Sequence, residues 1–266
     1  MKRSVLLVAC LVLTGMSEAS ALTLKPEMFD AGIQLSHITY KEPGLMRESG
    51  YMYGVNASYA RIGKALMWKV DGTLTTGKVD YVGSYQDGTS LTVKGISDTM
   101  FETRGVIGPT DFVYLSEYYL PYIGFGYRYL FDGANKGPGG YRRESTYLYI
   151  PIGIEGAPKS RDDWSFGYTL EYDLFISGTQ KSYLSDADQG FNDVENQQST
   201  GHGYRVSLRF VRSGKQDIII EPFYKYWKID RSNMKPLTYY GAPTGWGLVE
   251  PDNNSTEIGV KFILKF

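Results

Sequence analysis

Apolar and polar residues alternate along much of this chain, and a period of two is the pattern of a β-strand with one apolar face. The last segment, 256–266, is the clearest example. One face of it carries Thr256, Ile258, Val260, Phe262, Leu264 and Phe266. The other carries Glu257, Gly259, Lys261, Ile263 and Lys265. We therefore predict a strand with one apolar side and one mostly charged side.

Nine further segments alternate in the same way, so the sequence predicts ten strands. In one of them, Leu170 and Leu174 share a face that is opposite to Glu171 and Asp173. The ten predicted strands are 29–39, 51–61, 66–76, 99–107, 120–130, 145–154, 164–176, 203–210, 218–228 and 256–266.

Alternation alone fits both a soluble β-sandwich and a barrel that spans a membrane. The apolar faces here cover about 9–11 residues, the length of a tilted membrane strand. Aromatic residues stand at the ends of these faces, where the membrane–water interfaces would lie. They are Tyr51, Trp68, Tyr129, Trp164 and Phe266. We predict an all-β fold, a closed antiparallel transmembrane β-barrel of ten strands, with eight or twelve strands as alternatives.

The lengths of the connections support a barrel. If the first strand runs outward, the external loops are 40–50, 77–98, 131–144, 177–202 and 229–255. The inner turns are then 62–65, 108–119, 155–163 and 211–217. The external set is mostly the longer one, which is typical of outer-membrane barrels.

The first residues predict an export signal. Met1, Lys2 and Arg3 precede a short apolar run, and Ala19-Ser20-Ala21 ends in a small-residue cleavage pattern. We therefore predict a signal peptide at residues 1–21, which is removed, and one barrel domain at 22–266. The single cysteine, Cys10, lies inside this signal, so no disulfide is expected in the mature chain.

Three prolines fall in the predicted strands. Pro121 opens one strand, but Pro151 and Pro222 lie inside theirs, where each removes a hydrogen-bond donor. We expect a β-bulge at each of these two positions. The strand at 218–228 is ambiguous, because Phe223 and Trp227 fall on the face assigned inward.

Two stretches resemble a known class of protein. The terminal Phe262-Ile263-Leu264-Lys265-Phe266 is similar to the signal that outer-membrane barrels present to the barrel-assembly machinery. The stretch 121–130, PYIGFGYRYL, resembles a recurring strand of opacity-type barrels. The resemblance implies a small bacterial outer-membrane β-barrel protein, with Phe262, Leu264 and Phe266 as its assembly signal. It implies little about function, since this architecture hosts adhesins, channels and enzymes.

Charges of both signs fill the inward face. They are Lys69, Asp71, Glu102, Arg104, Arg128, Glu171, Asp173, Arg205, Arg209, Glu221, Lys225, Glu257 and Lys261. We interpret them as a structural network of ion pairs that fills a small lumen, because barrels of about eight strands are packed with side chains and water-filled channels need about 16–18 strands. The alternative is a narrow path for ions. Which residues pair is left open by the sequence.

An enzymatic role, as an outer-membrane protease or a lipid-modifying enzyme, is the least favoured hypothesis. Omptin proteases are ten-stranded barrels, and resemblance to them would require an Asp-x-Asp pair in the second loop and an Asp-x-His pair in the fourth. The second loop here has Asp80, Asp87 and Asp98, and no two of them have this spacing. His202 in the fourth loop has Thr200 two positions before it. We therefore predict no catalytic site and no cofactor.

The fourth loop, 177–202, is acidic, with Asp186, Asp188, Asp193 and Glu195. Its spacing departs from the EF-hand loop, so we interpret it as a solvated acidic loop and predict no metal site. The near-neutral net charge of −1 gives no reason to expect a nucleic-acid partner. We expect a monomeric outer-membrane protein in contact with lipid, with a structural or surface-interaction role, or alternatively a narrow channel for small solutes.

Overall fold

The computed structural model describes residues 27–85, 87–110, 120–161 and 163–266, so the predicted signal peptide lies outside the described residues. Every predicted strand is present. Ten strands form the barrel: β1 (Glu27–Glu42), β2 (Met46–Ile62), β3 (Leu66–Ser84), β4 (Ser90–Pro109), β5 (Leu120–Asp132), β6 (Arg143–Arg161), β7 (Trp164–Ser182), β9 (Gly201–Arg212), β10 (Asp217–Ile229) and β13 (Asn253–Lys265). The short strands β8 (Val194–Gln198), β11 (Lys235–Tyr239) and β12 (Ala242–Leu248) lie in the connections.

The ten strands close on themselves. Each pairs antiparallel with its neighbours, and β6 with β7 and β1 with β13 complete the ring. The last of these seams aligns Asp30 with Lys265 and Lys41 with Asn254. The predictions of an all-β class and of a closed ten-stranded antiparallel barrel are confirmed. No helix in the described part of the chain has the length and apolar character needed to cross a membrane.

The barrel has two unlike ends. We call the end with the connections β1–β2, β3–β4, β5–β6, β7–β9 and β10–β13 the loop end, and the opposite end the turn end. Strands reach further into the loop end than predicted, since Lys41 pairs with Arg47 and Ser84 with Ser90. The predicted loops 40–50 and 77–98 are therefore too long. At the same end, β8 extends the sheet beside β7, and β11 and β12 form a separate hairpin.

Side chains separate by face as the alternation predicts. On β7, Leu170 and Leu174 point outward and are 45% and 42% exposed, whereas Glu171 and Asp173 point inward and are 5% and 0% exposed. The outward residues of the other strands are also large and apolar, and we call this ring the apolar belt. Beyond it, at the loop end, Lys41, Arg47, Asp80 and other polar residues take over the outward positions.

The interior is layered. The inward face of β4 carries Ile96, Asp98, Met100, Glu102, Arg104 and Val106 in order from the loop end to the turn end. An apolar layer with one buried acid, a charged layer and a second apolar layer therefore stack along the barrel axis.

Four apolar clusters contribute to these layers, and one of them consists of Val211, Ile219 and Ile263. The cluster nearest the loop end consists of Ile38, Met52, Val79, Ile96 and Met100. The second consists of Tyr147, Tyr149, Phe175, Trp227 and Ile229. The cluster near the turn end consists of Met67, Val106, Leu120 and Tyr122. The inward assignment of Phe223 and Trp227 is correct, because they are only 6% and 2% exposed.

Pro151 and Pro222 interrupt the hydrogen-bond pairing between strands, but they do not shift its register. Pairing of β10 with β9 stops across Glu221 and Pro222 and resumes in the same register, so the bulge expected there is absent. Pairing of β5 with β6 likewise skips Pro151 without a shift. The nearest bulge lies between Leu148 and Tyr149, in the pairing of β6 with β7. A short gap is enough because proline lacks only the N–H that one rung needs.

Candidate functional site

Arg205 is the centre of the charged layer. Its Nη1 donates to Glu102 Oε2 at 2.8 Å, and its Nε lies 2.9 Å from Glu171 Oε1 and 2.7 Å from Asp173 Oδ2. All four residues are at most 7% exposed. Three different strands, β4, β7 and β9, thus meet on one guanidinium, whose fixed fork of donors suits several carboxylates at once.

Arg104 extends the network on the other side of Glu171. Its Nε and Nη2 donate to the two carboxylate oxygens of Asp71 at 3.0 and 2.9 Å, and its Nη1 donates to Glu171 at 2.5 Å. Tyr122 donates its hydroxyl to Glu171 Oε2 at 2.6 Å. Glu171 therefore links two arginines and has both oxygens hydrogen-bonded.

Lys225 connects the centre to the far wall of the barrel. Its Nζ lies 2.9 Å from Glu102 Oε2 and 3.4 Å from Glu257 Oε2. Gln34 of β1 donates to the same Glu257 at 2.9 Å. The charged layer consequently spans the lumen from β4 to the β1–β13 seam.

Most of the remaining predicted charges pair near the turn end. Arg209 bridges Asp30 at 3.0 Å and Glu221 at 3.2 Å, and Lys261 bridges Glu221 at 2.8 Å. Lys69 pairs with Glu155. A cavity of about 90 Å³ lies among these groups, enough for a few waters.

Arg128 alone among the predicted lumen charges is held mainly by aromatic rings. Its guanidinium lies 5.6 Å from the ring centre of Tyr147 and 5.9 Å from that of Trp227. Cation–π attraction of this kind strengthens when the cation is desolvated, and Arg128 is 6% exposed. The pairing register sets Glu102 directly opposite Arg128, but Glu102 turns to Arg205 and Lys225.

Small residues make room for the aromatic layer. A Cβ on Gly126 would lie 2.2 Å from the ring of Tyr149, and one on Gly203 would lie 2.9 Å from that of Trp227. Tyr149 is 0% exposed and packs edge-on against Trp227 at 5.0 Å between ring centres. These glycines therefore allow large inward rings to fill the lumen.

A second charged cluster lies at the loop end, beyond the apolar belt. Arg143 of β6 lies 3.2 Å from Glu42, 3.0 Å from Glu48 and 2.7 Å from Asp132. Asp98 is 4% exposed and borders the cluster beside Asp132, its partner in the β4–β5 register. Acid groups outnumber the single guanidinium that neutralises them.

Glu250, from the connection between β12 and β13, completes this cluster. It is 6% exposed and accepts a hydrogen bond from the Tyr40 hydroxyl at 2.8 Å. Burial raises the pKa of Glu250 to about 7 and that of Glu48 to about 8, although the neighbouring Arg143 acts to lower both.

A cavity of about 410 Å³ opens beside this cluster. The carboxylates of Glu42, Glu48 and Glu250 line it together with Arg143. Most of the rest of the wall is apolar or aromatic and includes Leu91, Val93, Ile96, Tyr81 and Tyr141, and two serines, Ser84 and Ser182, also line it.

The connections at the loop end pack on one another beyond the barrel strands. Asn192 Oδ1 accepts a hydrogen bond from the Thr238 amide at 2.6 Å, and Phe191 packs against Tyr239 at 5.0 Å between ring centres. The β11–β12 hairpin leaves Tyr240 and Trp246 79% and 77% exposed. This hairpin, 235–248, presents bare aromatic surface at the loop end.

The acidic residues of the fourth loop serve local structure. Asp186 lies 2.7 Å from Arg142, which lowers the pKa of this carboxyl. Asp188 accepts from the Gly190 amide at 2.8 Å, and Asp193 accepts from the Ser185 hydroxyl at 2.7 Å. Within the described ranges, no group of three or more His, Cys, Asp or Glu side chains has an arrangement that could hold a metal ion.

The residues tested against the omptin pattern do not come together. His202 lies on the outer side of β9, packed edge-on against Tyr204, and His37 packs edge-on against Tyr51. Asp98 faces the opposite way, into the barrel.

No protein-family model and no curated protein matches this sequence. Among solved structures, the chain is similar to the outer membrane protease OmpT of Escherichia coli, with a TM-score of 0.56 and 12% identity over 92% of this chain and 98% of that one. Neisserial surface protein A aligns at 11% identity, TM-score 0.35, over 90% and 97% of the two chains. The toluene transporter TodX of Pseudomonas putida aligns at 8% identity, TM-score 0.34, over 91% and 90%. The fold is that of an outer-membrane β-barrel protein.

The loop-end cluster was not found from the sequence. Its residues, Glu42, Glu48, Asp98, Asp132, Arg143 and Glu250, fall in segments assigned to loops or at their edges. Loop residues carry no facing in an alternation pattern, so their charges were not assigned to the interior. Glu42 and Glu48 are separated by even numbers of residues from the inward positions Gln34 and Gly54. This spacing is the signal that would have indicated longer strands.

Proposed function

We propose that this protein is an integral outer-membrane barrel with a closed lumen and a structural or surface-interaction role at the cell surface. The observation that carries the proposal is the stack of side-chain layers inside the barrel. The Arg205–Glu102–Lys225 network spans the charged layer, and the Tyr149–Trp227 cluster packs next to it on the loop-end side.

The outward surface supports the location. The apolar belt would face lipid, and aromatic residues stand near its edges, such as Trp164 and Phe266 at the turn end. In this orientation the loop end faces the cell exterior and the turn end the periplasm. Export through a signal peptide at 1–21, insertion by the barrel-assembly machinery through β13, and a monomeric state belong to the same proposal.

The loop end supports a role in surface contacts. Tyr240 and Trp246 project from the β11–β12 hairpin, above the level at which lipid would cover them. Exposed aromatic residues in such a position are typical of interaction surfaces. A role without catalysis stays a prediction.

Conductance in planar bilayers tests the closed lumen. We expect the purified, refolded protein to give no reproducible single-channel steps. The variant Trp227→Ala, which removes the largest ring of the aromatic layer, should give steps or leak currents more often than the wild type. Regular steps from the wild type would overturn the proposal and support the alternative, a narrow channel for small solutes or ions.

A further inference from the structure

The cavity at the loop end has an unbalanced charge. Glu42, Glu48 and Glu250 line it, and Arg143 is the one basic side chain that lines it among the described residues. Arg143 is itself shared, because it also bridges Asp132 behind the cavity wall. The carboxylates of the cavity therefore have too few cationic partners, and a positive group from outside could pair with them.

Glu48 gives the most direct sign of a missing partner. It is 4% exposed and lines the cavity, and its Oε2 accepts from Arg143 at 3.0 Å. Its Oε1 is buried and has no hydrogen-bond partner among the described protein atoms. A buried acceptor without a partner is costly. A primary ammonium in the cavity would donate to it, and any cation there would offset the cost through its charge.

The remaining wall indicates what kind of cation fits. Leu91, Val93 and Ile96 supply apolar surface, and Tyr81 and Tyr141 supply aromatic rings. Aromatic rings beside carboxylates attract quaternary or primary ammonium groups, and apolar surface accepts their hydrocarbon part. A bare divalent ion would instead use a compact set of oxygen ligands, and no such set is found within the described ranges.

We propose that the loop-end cavity binds an organic cation, an ammonium group carried on a hydrocarbon or aromatic body, with Glu48 and Glu250 as the carboxylates that receive the charge. The proposal deepens the surface-interaction role and rests on it only for the orientation of the loop end. A volume of about 410 Å³ holds a small molecule or one cationic side chain of a larger partner.

Isothermal titration of the refolded protein in detergent at pH 9, where Glu48 and Glu250 with pKa values of about 8 and 7 are ionised, tests the proposal. Choline is the cation and 3,3-dimethylbutan-1-ol is its uncharged isostere. We expect choline to bind and the isostere to bind at least about tenfold more weakly, because only choline carries the positive charge that the buried carboxylates attract. Glu48→Gln and Glu250→Gln should each weaken choline binding by a similar factor. Glu195→Gln, at an exposed acid on β8, is the matched control and should bind as the wild type does.

Heat-modifiable mobility shows whether each variant is folded, and Glu250→Gln decides the matter if Glu48→Gln fails to fold, since Glu250 makes no ion pair with Arg143 within 4 Å. Three results would overturn the proposal: equal binding of choline and its isostere, equal affinities of the folded Glu250→Gln and Glu195→Gln variants, or binding of Ca²⁺ without binding of choline. Channel steps in bilayers would contradict the closed lumen and leave these titrations unaffected, so the two proposals fail separately.

Discussion

Arg205 and Glu102 lie 103 residues apart in the chain, yet the guanidinium Nη1 of one is 2.8 Å from the carboxylate Oε2 of the other inside the barrel. They stand on β9 and β4, which are not neighbours in the sheet. The contact therefore crosses the lumen and connects opposite walls.

Removing one partner from the central network should destabilise the barrel. Glu171→Gln leaves Arg104 and Arg205 each short of a carboxylate, and Arg205→Gln leaves three buried acids without their shared cation. Breaking a buried pair costs roughly 3–5 kcal/mol, whereas a solvated pair contributes about 0–1 kcal/mol. Urea unfolding in lipid vesicles measures the loss, with Glu195→Gln as the exposed control. Near-neutral effects of both lumen variants would mean a hydrated lumen.

Charge on the outward face should be costly within the apolar belt. Leu170 and Val206 are paired across β7 and β9 and are 45% and 42% exposed toward the surrounding lipid. Arg at either position should destabilise by about 2–4 kcal/mol if it lies at mid-depth. Thr92→Arg, at an exposed position of β4 near the loop end, is the control and should be nearly neutral. The same urea assay compares them, and equal costs at all three sites would contradict the facing.

The end of β13 should be needed for assembly. Phe266 donates its amide to the Phe29 carbonyl at 2.8 Å, and the two rings lie 5.8 Å apart on the outer surface at the β1–β13 seam. Deleting Phe266 should reduce outer-membrane insertion and increase periplasmic degradation. Phe166→Ala removes another exposed ring near the turn end and should insert normally. Unchanged heat-modifiable mobility and yield of the deletion variant would contradict the assigned role.

Stability should fall as the pH rises, because of the loop-end cluster. Burial raises the pKa of Glu250 to about 7 and that of Glu48 to about 8 from an ordinary value of 4.5. Since the folded state then holds protons more tightly than the unfolded state, the stabilisation is complete below about pH 4.5 and is lost as the pH rises through about 7–8. The groups that face these two acids are Arg143, Glu42, Asp132 and Tyr40.

The urea midpoint measured at pH 5 and pH 9 checks this dependence. The glutamine of Glu48→Gln cannot ionise. This variant should therefore lose less stability than the wild type between pH 5 and pH 9, and the difference between its two urea midpoints should be smaller. Glu195→Gln should keep the wild-type pH dependence. Identical midpoints of the wild type at both pH values would show that the cluster is not buried as described.

Alternation was sufficient to predict the ten strands and the facing of Leu170 and Glu171. A strand with one apolar and one polar face requires residues that alternate in the sequence. The alternation is absent at the loop end, because the outward residues Lys41 and Asp80 are as polar as the inward ones. The strand ends there, and with them the loop-end cavity, were therefore missed.

The ion-pair partners across the lumen could not be predicted from the sequence either. Which charge meets Glu102 depends on the stagger of strands around the whole barrel, and no local pattern encodes it. The β11–β12 hairpin turns at Tyr240 and Gly241, both with positive φ, and only the glycine gives a sequence signal for that turn. Short strands of five or seven residues outside the barrel leave too little periodicity to detect.

The β1–β13 seam has a consequence for biogenesis. It joins Asp30 to Lys265, a separation of 235 positions (265 − 30), so the ring cannot close before nearly every strand has been made and delivered. Until then both edges of a growing sheet carry unpaired N–H and C=O groups, which attract any other free edge. In a chain with this topology, the pairing of the last strand with the first is therefore a single late event.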